Sequence, residues 1–72
     1  MSEIIHDTTI KLKNKTILLR IYRNQRGAFV ALTEARGRNN TSIFIPAEEY
    51  YTVLEAMHDI TLEVARVADL PF

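Results

Sequence analysis

Apolar and polar residues alternate along the first 45 positions, and this period of two predicts β-strands. The alternation marks four segments rich in β-branched and aromatic residues, 8–12 (TTIKL), 16–23 (TILLRIYR), 28–35 (AFVALTEA) and 41–45 (TSIFI). The polar turns between them are short. Because short turns join antiparallel neighbours, we expect a four-stranded meander spanning 8–45. Residues 1–7 precede it as a flexible start.

After residue 45 the period of the apolar pattern changes to that of a helix. Pro46 suits the first helical turn, and Glu48 and Glu49 follow where the helix dipole favours acids. Apolar residues then recur at steps of three and four, which predicts one amphipathic helix over 46–70. The chain is therefore expected to be a single α+β domain, 1–72, of order ββββα. Its helix would cover one face of the sheet, and the other face would meet water, a ligand or a second chain.

Composition narrows what such a small domain can be. A chain of 72 residues buries a modest core, and without cysteine it has no disulfide to reinforce it. His6 and His58 are too far apart to suggest a metal site, so we expect no metal or cofactor, and oligomerisation is the remaining means of stabilisation. No phosphate loop or catalytic triad appears, which argues against an enzyme or a small-molecule substrate.

Two further absences bear on location. No apolar run approaches the length of a membrane span, and the first residues lack the pattern of a secretory signal. We therefore expect an intracellular protein without a membrane partner, in the cytoplasm or nucleoid of a bacterium or in the nucleus and cytoplasm of a eukaryote.

The formal net charge of zero conceals a strong asymmetry. Between Lys11 and Arg38 there are eight basic residues and one acid, whereas the segments before and after are acidic. A basic half of this kind indicates a surface that faces a polyanion.

Strand parity assigns these charges to a face. One parity is aliphatic and suits the helix side: Ile10, Leu12, Ile17, Leu19, Ile21, Val30, Leu32, Ile43 and Ile45. The other parity interleaves cations with aromatic rings: Lys11, Lys13, Arg20, Tyr22, Phe29 and Phe44. Cations that follow phosphates and rings that stack on bases are what binding of single-stranded nucleic acid requires. The same face, with Leu18, Phe29, Ala31 and Phe44, is equally consistent with a dimer interface. A one-residue slip in the third strand would turn Phe29 inward.

The segments NQRGAFVALTEA and NNTSIFIP together resemble the PUR repeat of the Pur-alpha family. That repeat has a strand, an Asn-x-(Arg/Lys)-Gly turn, an aromatic two residues after the glycine, a hydroxyl residue with Glu, an Asn/Ser-rich turn, an Ile-rich strand and a proline that opens the helix. The matching positions, within about 8–60, are Asn24, Arg26, Gly27, Phe29, Thr33, Glu34, Asn40, Ser42, Ile43, Ile45 and Pro46. The same strand-and-helix unit is similar to that of the positive-cofactor-four and Whirly families, which also bind single strands.

The resemblance implies that two repeats intertwine with their helices crossing, so a single-repeat chain should form a homodimer. It also implies binding to purine-rich single strands, with contacts from Asn24 and Arg26 and base stacking by Phe29. Two positions depart from the family pattern: Tyr22 stands where the family has lysine, and Ala28 stands where a basic residue is common. Arg20 or Arg23 would compensate for these lost basic contacts.

Three hypotheses follow. The first is an intertwined homodimer that binds single-stranded DNA or RNA in transcription or RNA regulation. The second is a dimeric protein-interaction or regulatory module without direct nucleic-acid binding, and the third is a duplex-RNA or ribosome-associated factor. The predicted nucleic-acid contacts are Lys11, Lys13, Arg20, Tyr22, Arg23, Asn24, Arg26, Phe29, Arg36 and Arg38. The predicted dimer contacts are Tyr50, Leu54, Met57, Ile60 and Val64.

Overall fold

A computed structural model of the chain describes residues 2–71, so Met1 and Phe72 of the predicted domain lie outside the described residues. The sheet is formed by β1 (Glu3–Lys11), β2 (Thr16–Asn24), β3 (Gly27–Arg36) and β4 (Asn39–Pro46), antiparallel in the order β1-β2-β3-β4. A 3-10 turn (Ala47–Glu49), α1 (Tyr50–Asp59) and α2 (Thr61–Ala68) follow. The predicted α+β class, with a four-stranded antiparallel sheet before a C-terminal helix, is confirmed.

The first strand begins earlier than the sequence pattern indicates. Glu3 rather than residue 8 starts β1, and most of the expected flexible start is paired with β2. A β-bulge at Ile5 explains the error, because the extra residue interrupts the alternation on which the prediction depends. Cross-strand ion pairs hold this segment in place, with Glu3 Oε1 2.8 Å from Arg23 Nη2.

The C-terminal segment also differs from the single helix expected over 46–70. It starts as a 3-10 turn, and Ile60 (φ −90°, ψ −1°) separates α1 from α2. Thr61 Oγ1 donates a hydrogen bond to the Met57 carbonyl at 3.1 Å. The hydroxyl thus competes with the backbone N–H of that turn for the same carbonyl oxygen. The helical path continues across the break, since the Val64 N–H donates to the Ile60 carbonyl.

Asp69 ends the helical segment with a left-handed backbone (φ 57°). The Leu70 N–H donates to the Ala65 carbonyl at 2.8 Å, and the Asp69 N–H donates to the Arg66 carbonyl at 3.4 Å. These two bonds form a Schellman motif that satisfies the last helical carbonyls.

The strand register fixes which side chains share a face, because directly opposed residues in antiparallel strands point to the same side. Leu19 opposes Leu32, which opposes Ile43, and Tyr22 opposes Phe29. The parity predicted for β2, β3 and β4 is therefore confirmed, and Phe29 is not slipped inward. We call one side the aliphatic face: Ile10, Ile17, Leu19, Ile21, Val30, Leu32, Ile43 and Ile45. We call the other the aromatic face: Asp7, Lys11, Leu18, Arg20, Tyr22, Phe29, Ala31, Thr33, Ser42 and Phe44.

The helices do not cover the aliphatic face within one chain, contrary to the expectation from sequence. The 3-10 turn packs against β3, but α1 and α2 make at most marginal contacts with the strands. Only Ala31 and Ala65 are buried among residues 2–71. Each chain exposes 6416 Å², whereas a folded monomer of this mass exposes about 4,600 Å². Its radius of gyration is 14.5 Å, against about 11 Å for a compact domain of this length.

Gly27 closes the β2–β3 hairpin with a φ of +132°, a region that residues with a side chain rarely adopt. We expect Gly27→Ala to lower the free energy of unfolding by about 1–3 kcal/mol. The cost is in the backbone, because an added Cβ at this position meets nothing within 4 Å. Gly37→Asn is the matched control, since its φ of +61° is one that asparagine tolerates. Equal losses for the two variants in urea unfolding would contradict this account.

Candidate nucleic-acid interface

Three aromatic rings form a continuous cluster on the aromatic face. Tyr22 and Phe29 oppose each other across β2 and β3, and their rings are stacked with centroids 5.9 Å apart and planes at 22°. Phe44 on β4 meets Phe29 edge-on, with centroids also 5.9 Å apart. Tyr22 and Phe29 are half-buried, whereas Phe44 is 61% exposed. The cluster therefore offers a supported ring surface that remains open to solvent.

An open groove of about 770 Å³ follows this cluster to the β2–β3 turn. Four of the predicted contact residues line it together: Tyr22, Asn24, Arg26 and Phe29. Phe44 and Pro46 form another part of its lining, and Glu48 adds a carboxylate. The groove combines stackable rings, a cation and polar groups, the composition typical of a site for unpaired bases.

The turn that places Arg26 is shaped by the side chain of Asn24. Asn24 Oδ1 accepts a hydrogen bond from the Arg26 N–H at 2.8 Å, an Asx-type contact that supports the two-residue loop. The Asn24 amide nitrogen is not involved in this bond. Asn24 thus acts as a turn former, and Arg26 is left exposed at the groove.

Salt bridges neutralise part of the basic half, which the sequence did not reveal. Lys15 Nζ lies 3.0 Å from Glu34 Oε2, and this hydrogen bond and the lysine charge hold the pKa of Glu34 below its usual value. Arg23 is paired with Glu3, as described above, and Arg20 Nε lies 3.3 Å from Asp7 Oδ1. Three of the eight basic residues in this half are therefore engaged with acids.

Arg20 differs from the other two paired cations in its contacts. Hydrogen bonding to the Tyr22 side chain, and after it to Asp7, raises the pKa of Arg20 above its usual value. Its Nε lies within ion-pair distance of Asp7 but has no hydrogen bond of good geometry among the described residues. Its guanidinium lies beside the ring cluster because Arg20 and Tyr22 are two residues apart on the same strand face.

The remaining predicted contacts do not all join the groove. Arg23 and Arg36 have the parity of the aliphatic face, and so lie opposite the rings. Lys11, Lys13, Arg36 and Arg38 lie at the other end of the sheet, near the β1–β2 and β3–β4 turns. Six residues along β2 separate Tyr22 from that end, a distance of about 20 Å. The predicted set therefore divides into a groove cluster and a distal basic end, with Arg20 beside the rings and Arg23 on the opposite face belonging to neither.

Sequence reasoning missed two acids near the rings, Asp7 on the aromatic face and Glu48 in the lining of the groove. Asp7 has the same parity as Lys11, so extending the first strand by one residue would have found it. Glu48 follows Pro46 and was assigned only to the helix start, and nothing in the pattern indicates that it lines the groove.

The predicted dimer contacts all lie on the helical segment and are exposed in a single chain: Tyr50, Leu54, Met57, Ile60 and Val64. Tyr51, Leu62 and Val67, each at least 75% exposed, extend the apolar surface. At 100° per residue, the apolar arc covers about 220° of the helix circumference. This arc is about twice as wide as the ~100° stripe with which a helix commonly packs against one surface.

No protein-family model matches the chain, and a search of curated proteins finds no match. In the described part of the chain, no helix has the length and apolar character needed to cross a membrane.

Proposed function

We propose that the chain is a single PUR-like repeat that forms an intertwined homodimer and binds single-stranded DNA or RNA, with a preference for purine-rich sequences. It acts as an intracellular binding protein in transcription or RNA regulation rather than as an enzyme. The observation that carries this proposal is the Tyr22–Phe29–Phe44 cluster in an open groove beside Arg26. Accessible rings stack on unpaired bases, and a neighbouring cation binds the phosphate that links those nucleotides.

We infer the dimer from the apolar surfaces that a single chain leaves accessible to water. Both surfaces are apolar: the helical arc is exposed, and the aliphatic face is at best half-buried, with Ile10, Ile21 and Ile43 exposed. If the helix of each chain lies on the aliphatic face of the other, both surfaces are removed from water. The excess of about 1,800 Å² per chain over a compact monomer gives about 3,600 Å² in total, within the range of obligate homodimers.

This arrangement leaves the aromatic face free. The rings and the aliphatic residues point to opposite sides of one sheet, so a helix that covers the aliphatic side does not obstruct the groove. The width of the helical arc is accounted for as well, because crossing helices would contact each other in addition to the partner sheet.

A titration of the wild-type protein tests the proposal. A fluorescent purine-rich single strand, its pyrimidine-rich complement and the duplex of the two should be titrated over a series of salt concentrations. We expect the purine-rich strand to bind most tightly and the duplex most weakly, with affinity falling as salt rises. Light scattering should give about 17 kDa, twice the mass of one chain. Binding of all three nucleic acids with equal affinity would contradict the proposed function.

A dimeric interaction or regulatory module that does not bind nucleic acid is the alternative. The ion pairs at Lys15, Arg20 and Arg23 and the carboxylate of Glu48 in the groove favour it, because they weaken the attraction for phosphate. A dimer that binds none of the three nucleic acids at 50 mM salt would support this alternative.

A further inference from the structure

One row of paired residues crosses the aromatic face and ends at a ring of the cluster: Asp7, Arg20, Ala31 and Phe44, one from each strand. Ala31 is 1% exposed, so the small residue of the row is covered by its larger neighbours. The side chains of Asp7 and Arg20 are 46% and 30% exposed, so both reach solvent at the edge of the rings. A backbone phosphate beside a stacked base would therefore meet this pair.

The three cross-strand ion pairs differ in face and in geometry. Glu3–Arg23 and Lys15–Glu34 are hydrogen-bonded at 2.8 and 3.0 Å, and Arg23 and Glu34 have the parity of the aliphatic face. Asp7–Arg20 lies on the aromatic face, with Arg20 Nε 3.3 Å from Asp7 Oδ1 and without a hydrogen bond of good geometry at that nitrogen. Of the three cross-strand ion pairs in the described part of the chain, the one beside the rings thus has the longest distance between nitrogen and oxygen.

We propose that Asp7 is a specificity residue, an internal anion that occupies Arg20 in the free protein and must be displaced by a phosphate. The inference rests on the proposed function. A carboxylate and a phosphate oxygen compete for the same guanidinium, so a nucleic acid that contacts Arg20 must displace Asp7. A single strand also stacks on Tyr22 and Phe29 and can bind while Arg20 stays paired with Asp7, whereas a duplex keeps its base faces covered and relies on phosphate contacts alone. Asp7 therefore lowers affinity for duplexes and other polyanions more than for single strands.

The test compares Asp7→Asn with Glu3→Gln. Both variants remove one negative charge from β1 and one ion pair with β2, but the second lies on the opposite face. We expect Asp7→Asn to bind duplex about fivefold more tightly at 50 mM salt, with a salt dependence steeper by close to one phosphate contact. Its affinity for the purine-rich single strand should rise less, so the ratio of single-strand to duplex affinity should fall. Glu3→Gln should stay within about twofold of wild type.

A heparin column provides a readout without nucleic acid, and Asp7→Asn should elute at higher salt than Glu3→Gln. Asp7→Glu retains the anion and should behave as wild type in both assays, with circular dichroism to verify the fold of all variants.

The outcomes separate the two proposals. A wild-type preference for single strands combined with equal gains for Asp7→Asn and Glu3→Gln would overturn this inference alone, because net charge would then explain the effect. Weaker single-strand binding by Asp7→Asn would also overturn it, because Asp7 would then hold Arg20 in its binding position. Absence of single-strand preference in the wild type, with normal dimers, would overturn the proposed function and this inference together.

Discussion

Replacing Leu54 with aspartate is expected to separate the proposed dimer and unfold both chains. Leu54 lies near the middle of the apolar arc of α1, where the proposed dimer places it against the partner sheet. An unpaired carboxylate at such a position costs several kcal/mol or prevents association. A released chain has no adequate core of its own, since Ala31 and Ala65 are the only buried residues in the described part of it. We therefore expect loss of helical circular dichroism together with a mass near 8.3 kDa by light scattering.

Thr52→Asp is the matched control for this variant. Thr52 is exposed on the same helix about 160° around its axis from Leu54, and an acid in the first turn is favourable there. The control should remain dimeric with a wild-type unfolding midpoint, and that midpoint should rise with protein concentration. If Leu54→Asp remained folded and had the same mass as Thr52→Asp, the proposed helix interface would be wrong.

Phe29→Ala is expected to weaken single-strand binding by about 1–3 kcal/mol, a loss of roughly 5- to 150-fold. Phe29 is the central ring of the cluster, stacked on Tyr22 and in edge contact with Phe44, so its removal disrupts both contacts. Because stacking is not ionic, the loss should be similar at all salt concentrations and absent for duplex. Fluorescence titration of the purine-rich strand from 50 to 300 mM salt provides the measurement.

Two arginine variants test whether the face on which a positive charge lies determines its effect on binding. Arg26→Ala should reduce the slope of log affinity against log salt by about 0.7, the effect of one lost phosphate contact on a single strand. Arg23→Ala removes the same charge at a position on the opposite face, already paired with Glu3, and should change the slope little. Equal effects of the two arginine variants would mean that binding does not depend on the face occupied by the rings.

The sequence predicted those parts of the fold in which local chemistry decides the outcome. Alternation in β2, β3 and β4 assigned Tyr22, Phe29 and Phe44 to one face, and the change of period at Pro46 located the start of the helical segment. The start of β1 was missed because the bulge at Ile5 breaks the period of two. The interruption at Ile60 was missed because its side chain fits the apolar repeat on both sides of it.

Features that depend on contacts distant in sequence were less accessible. The Glu3–Arg23 and Lys15–Glu34 pairs join residues about 20 positions apart, so only the strand register reveals that part of the basic half is neutralised. The position of the helix could not be predicted either. An apolar arc indicates that a surface needs a partner, but not whether the partner is the sheet of the same chain or of another.

The near absence of a core in one chain has a consequence for the life of the protein in a cell. If folding and association are one event, a chain that has not dimerised is unfolded and remains a substrate for proteases. The amount of protein then sets its own lifetime, with fast turnover when it is scarce and persistence once dimers accumulate. A pulse-chase measurement at several expression levels should show a half-life that lengthens with abundance, and Thr52→Asp should follow the same curve.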